Sequence, residues 1–180
     1  LLFLNNFYLN NYRGCFISLR CILEDLYRHL YYKDHPEEYW AMLNQFDEHE
    51  LDLRPKFFKD YLVRTSFLNC LKGVNHKFED APENDIFQWN KDLYKETSSY
   101  VHASKEQQMS RFSSNSDMTY QSEESEKVEK VAKNVMQVCV TFLICAHSDY
   151  FIRFNDYEKS VILGVFDKTT KHNFRKYINL

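Results

Sequence analysis

The chain has 180 residues, 44% of them apolar and 17% aromatic, and a formal charge of -3. That is enough for one domain with its own core and too little for two generous ones, and the near-neutral, slightly acidic balance excludes a globally basic protein that holds phosphate chains without specificity. Only three Gly and three Pro are present, too few turn formers for the many short strands of a sandwich or barrel, so the composition predicts an all-α, single-domain bundle of about five to seven helices spanning residues 1–180.

In chain order, Phe16, Leu19, Leu23, Leu26 and Leu30 recur with three- and four-residue spacing and predict a first long helix over residues 3–32, bent at Gly14. Pro36 followed by Glu37 and Glu38 places a proline and two acids in the first turn of a short helix reaching Phe46. Arg54 and Pro55 repeat that signal for a helix through Phe57, Tyr61, Leu68 and Leu71, stopped by Gly73. Asn84 or Asp85 caps a fourth helix carrying Phe87, Leu93, Tyr94 and Tyr100 and ending near Ala103. Residues 105–123 are rich in Ser and weakly apolar and read as a mobile loop.

Ser122, Glu123 and Glu124 open a fifth helix whose later turns, through Val135, Val138, Cys139, Phe142, Leu143 and Ala146, are apolar almost all round, as in the centre of a bundle. Asn155 with Glu158 three residues later forms a capping-box pattern for a short helix ending near Val165. Asp167 caps a last, basic helix with Lys168, Lys171, His172, Arg175 and Lys176, whose cations suit its own dipole, or else nucleic acid or an acidic partner.

Charge is uneven along the chain. Asp34, Glu37, Glu38, Asp47, Glu48, Glu50 and Asp52 fall in a stretch without Lys or Arg, and Arg54, Lys56, Lys59, Arg64, Lys72 and Lys77 follow against Asp60 alone. The two stretches either pair with each other or leave the second as a phosphate-binding face. Cys15, Cys21, Cys70, Cys139 and Cys145 stand in apolar helical surroundings without a CxxC pair and read as small core residues in a reducing compartment. The start lacks the basic leader of a signal peptide, and the longest apolar run, residues 135–146, is too short to span a bilayer. Together these features point to a soluble, cytoplasmic protein without a membrane partner. Opening on Leu rather than Met, it reads as a trimmed piece of something longer.

Arg20 and Glu24 lie one turn apart on the flank of the first apolar stripe, about 80° and 120° from its centre at 100° per residue. Surface pairs of this kind work better with the acid first, so two readings stand: an ordinary surface pair, or a half-buried polar seam completed from another helix. The second group of interest is Tyr94, Ser98, Ser99 and His102, where a helix end presents hydroxyls and an imidazole able to move protons near neutrality. On a regular helix His102 points about 130° from the apolar stripe, toward solvent. No Gly-rich phosphate loop or nucleophile elbow is present, and His and Cys are too scattered for a recognisable zinc site, so neither metal nor cofactor is expected.

Arg20-x-x-x-Glu24 in a long first helix, followed by Tyr94-x-x-x-Ser98-x-x-x-His102 with Ser99 and Ser104 beside it, resembles bacterial helical families of the HEPN type, over residues 12–147. In those families such an R-x-x-x-E helix and a Y-x-x-x-S-x-x-x-H helix face each other, and many members belong to phage-defence or toxin–antitoxin systems and act on RNA. The resemblance implies an RNA-binding or RNA-cleaving domain with Arg20, Glu24 and His102 as its polar centre, Tyr94, Ser98 and Ser99 toward the substrate, and a homodimer or other protein partner. The ribonuclease members share an Arg followed by a His after four to six residues, and that spacing is absent here: Arg28 and His29 are adjacent, and eight residues separate Arg20 from His29. A metal-independent ribonuclease would have to draw Arg20 and His102 from different helices. The alternative is a noncatalytic helical interaction or regulatory domain of a larger defence protein.

Overall fold

The computed structural model describes residues 1–44, 61, 86–101 and 120–177. Eight α-helices and one short 3-10 helix occur among them, and no strand. The helices are α1 (Leu2–Tyr8), α2 (Tyr12–Asp34), α3 (Pro36–Leu43), α4 (Ile86–Val101), α5 (Ser122–Ala146), α6 (Ser148–Arg153), α7 (Asp156–Ile162) and α8 (Lys168–Tyr177), with the 3-10 turn Leu163–Val165 between α7 and α8. The all-α expectation is met, but the helix number exceeds the predicted range because the first helix is two and residues 148–153 form one of their own.

The break falls at Leu9, Asn10 and Asn11 rather than at Gly14. Asn10 takes φ 53°, the left-handed region that Asn tolerates better than most residues, and Asn11 then caps α2 by accepting from the Gly14 N–H at 3.0 Å. Asn11 also donates to Asn6 Oδ1 at 3.0 Å, and Asn6 donates to Ser18 Oγ at 3.2 Å, so α1 is stitched onto the first turns of α2. Gly14 is what allows that approach: a Cβ there would stand 2.5 Å from Asn11 Nδ2 and 2.6 Å from Asn6 Oδ1.

The stripe on α2 buries Phe16, Leu19, Leu23, Leu26 and Leu30, as its spacing requires, and Tyr12, Cys15, Tyr27 and Tyr31 extend it. Against it lie α1, α4 and α5. From α4 come Ile86, Trp89, Leu93 and Thr97, and from α5 come Val128, Val131, Val135, Val138 and Phe142. Each fully buried aliphatic or aromatic side chain contributes roughly 1.5–3 kcal/mol by leaving water. The Phe16 ring stacks on Tyr100 at 3.8 Å, and Phe87 meets Phe142 edge-on at 5.7 Å, fixing α4 against both long helices.

The C-terminal elements follow their capping signals. Asn155 and Glu158 form the reciprocal capping box at the start of α7, with both bonds at 2.9 Å, and Asp167 accepts from the Thr170 N–H at 2.8 Å at the start of α8. Gln137 on α5 reaches the Val165 carbonyl at 2.8 Å and ties the 3-10 turn to the central helix.

Two expectations are corrected by the helix boundaries and burial. Ser122 and Glu123, the last residues of the predicted 105–123 loop, already belong to α5, because the acidic first turn starts the helix there. Cys21 is exposed, two residues on from Leu19 and so on the far side of α2 from the stripe, whereas Cys15, Cys139 and Cys145 are buried as expected. Residues 105–119, most of the helix expected over 55–71, the charge contrast between 34–53 and 54–77 beyond Asn44, and Cys70 lie outside the described residues. Tyr61, which is described, is helical and donates to Asp34 Oδ2 at 2.6 Å. Among the described residues no helix is long and apolar enough to cross a membrane.

Candidate functional site: a polar seam between α2 and α4

Helices α2 and α4 run antiparallel, as their cross-contacts require: Tyr27 meets Asn90, Glu24 meets Tyr94, and Phe16 meets Tyr100. The apolar stripes of the two helices face each other, so residues on the flanks of both are brought edge to edge. On α2 that flank holds Arg13, Arg20, Glu24 and Tyr27, and on α4 it holds Asn90, Tyr94 and Tyr100.

The centre of the seam is Glu24. Its Oε1 accepts from Arg20 Nε at 2.9 Å and from the Tyr94 hydroxyl at 2.9 Å. The Arg20 guanidinium also lies over the Tyr94 ring, 5.3 Å from its centroid. Both charged side chains are mostly covered, Arg20 being 19% and Glu24 28% exposed. Burial alone would lower the Arg20 pKa, but the hydrogen bond to Glu24, with Tyr94 and the Glu24 charge beside it, raises it above its ordinary value. Burial pushes the Tyr94 phenol up, and its bond to the Glu24 carboxylate adds to that, so the hydroxyl remains a donor across the neutral range.

One turn along α2, the Tyr27 hydroxyl donates to Asn90 Oδ1 at 2.8 Å in a fully buried bond, and burial raises the Tyr27 pKa strongly. At the other end, Arg13 Nε donates to the Tyr100 carbonyl at 3.1 Å, and Lys127 of α5 donates to the Tyr100 hydroxyl while sitting over the Phe16 and Tyr100 rings. The half-buried seam, rather than a free-standing surface pair, is therefore the arrangement adopted by Arg20 and Glu24.

Of the other residues singled out by sequence, Ser98 on α4 has a buried hydroxyl without a hydrogen-bond partner among the described residues, and Ser99 Oγ donates back to the Glu96 carbonyl at 2.7 Å. His102 lies outside the described residues. Arg20, Glu24 and Tyr94 are thus brought together. A guanidinium, a carboxylate and a phenol together carry no net charge.

Asn90, as the partner of Tyr27, carried no sequence signal beyond its place on the α4 flank. A second pair also escaped sequence reasoning: His29 and His147, which meet through their Nε2 atoms across a sequence separation of 118. Neither histidine belongs to a local motif, so nothing in the sequence pairs them. Two of the buried thiols are poor nucleophiles, since burial pushes Cys15 up to about 11 and Cys139 up to about 12. Comparison of the chain with protein-family models, with curated proteins and with solved structures found no match.

Proposed function

We propose that this chain is a HEPN-like helical domain of a bacterial defence or toxin–antitoxin type system that binds or cleaves RNA. The observation that carries this reading is the meeting of the R-x-x-x-E and Y-x-x-x-S helices at one point, with Tyr94 donating to the Glu24 oxygen that Arg20 holds. In this reading Glu24 and Tyr94 orient the guanidinium, Arg20 stabilises phosphate charge, and His102 supplies proton transfer. Ser98 and Ser99 belong to the same helix end.

A second reading, a noncatalytic interaction or regulatory domain, is favoured by a different observation. The Arg20 charge is neutralised by Glu24, which suits a seam that sets the α2–α4 register better than one that attracts phosphate. The exposed Tyr150, Ile152, Phe154, Tyr157 and Val161 of α6, α7 and their junction supply apolar surface for a protein partner.

The test is RNA binding and cleavage by the purified chain and by Arg20→Ala and His102→Ala, each checked for helicity by circular dichroism. A ribonuclease loses at least about 100-fold in cleavage on losing its proton-transfer group while staying folded. Cleavage and binding that are absent in the parent chain, or unchanged in folded His102→Ala and Arg20→Ala, remove the RNA reading and leave the interaction domain.

A further inference from the structure

We infer that His29 and His147 form a two-histidine site for a divalent transition metal ion, with water in the remaining coordination positions. The two Nε2 atoms are 2.8 Å apart, with ring centroids at 5.1 Å and the planes inclined by 41°. Two imidazole nitrogens bound at about 2.0–2.1 Å to neighbouring positions on one ion stand roughly 3.0–3.4 Å apart. The pair reaches that spacing by opening a few tenths of an ångström, and His29 is exposed, which leaves it room to do so.

Both residues are held by backbone that is already committed. His29 lies inside α2 next to the buried Leu30. His147 ends α5, its N–H donating to the Leu143 carbonyl at 2.9 Å, and starts α6, its carbonyl accepting from the Tyr150 and Phe151 N–H groups at 3.0 Å each. The site therefore bridges the long helix α2 and the α5–α6 corner.

The chemistry also suits a cation. In the empty pair one Nε2–H donates to the other ring. On binding, the donor ring carries its proton on Nδ1 instead, so both Nε2 lone pairs face the ion and neutral rings release no proton. Lys33, Asp34 and Asp149 are the charged groups acting on His147, and Lys33 is itself paired with Asp34 at 3.3 Å. Lys33 and Asp34 offset each other, and Asp149 adds one negative charge near the ring. Among the described residues no group of three or more His, Cys, Asp and Glu side chains converges on a metal position. The ion is accordingly held by two protein ligands, and imidazole ligation selects Cu2+ over Ni2+ and Zn2+ in strength.

The experiment uses the full chain freed of metal with a chelator, then titrated with Zn2+ and with Cu2+. Zn2+ is expected to bind one equivalent saturably and to raise the melting temperature. Cu2+ should bind more tightly and show splitting from two nitrogen nuclei in its electron paramagnetic resonance spectrum. His29→Gln and His147→Gln each abolish the saturable phase, and His29→Gln, an exposed change within α2, carries the test if His147→Gln fails to fold. Absence of one-equivalent binding by the parent chain, or binding that survives in folded His29→Gln, overturns the proposal.

Discussion

The Tyr94 hydroxyl and the Arg20 guanidinium converge on the same oxygen of Glu24, each at 2.9 Å, although Tyr94 enters from a helix 70 residues further along the chain. A single carboxylate oxygen thus joins an intrahelical ion pair to an interhelical hydrogen bond. The seam holds because each of the three partners reduces the desolvation cost of the others.

Tyr94→Phe removes only the phenolic donor and leaves the ring under Arg20. It should destabilise the chain by about 1 kcal/mol. Glu24→Ala leaves a half-covered guanidinium without its carboxylate and should cost more, about 2 kcal/mol after allowance for partial solvent exposure. Urea unfolding of both variants and of the double variant checks this, with non-additivity of at least about 0.5 kcal/mol as the signature of the shared oxygen.

The Phe16 ring is fully buried and stacked on Tyr100, so Phe16→Ala removes the contact that joins α2, α4 and Lys127 of α5. A loss of about 3–5 kcal/mol is expected from transfer and cavity terms together, measured by the same unfolding experiment. Cys21→Ala, on the exposed side of the same helix, should change stability by less than about 0.5 kcal/mol.

Ser98→Ala is expected to be neutral or to stabilise by up to about 1 kcal/mol. Its hydroxyl is buried without a partner among the described residues, so removal relieves a desolvation cost, and Ala is also the better helix former. A melting temperature clearly below that of the parent chain would show instead that the hydroxyl is satisfied.

Acid should loosen the α2 to α5–α6 corner in a defined window. The folded pKa of His147 lies below its ordinary 6.5, through burial and the neighbouring His29 and Lys33. The unfolded chain therefore binds the proton more readily. The stability linked to His147 is complete above 6.5 and falls away as the pH drops from there through the folded value. Melting temperature against pH should show that fall in metal-free protein, and His147→Gln should remove it.

Much of the helical architecture was legible because its causes are local. The three- and four-residue spacing of Phe16, Leu19, Leu23, Leu26 and Leu30 requires one buried face, Ser122 with two following acids starts a helix, and Asn155 with Glu158 caps one, whatever the rest of the chain does. The division of the first helix was missed, although Asn10 and Asn11 are suitable residues for it. The apolar spacing of Phe3 and Phe7 continues across the break, and only the packing of α1 against Gly14 rewards the turn.

By itself, the sequence determined which faces of its helices are apolar, where several of them begin, and that Arg20 and Glu24 share a flank. Tertiary structure alone decided what that flank meets. Antiparallel packing of α2 and α4 selects Tyr94 for Glu24 and Asn90 for Tyr27, and the α5–α6 corner brings His147 to His29. The reason is physical: helix periodicity and capping act within a few residues, whereas the partner of a flanking polar group is set by the register of two packed apolar stripes, which depends on every large side chain along both.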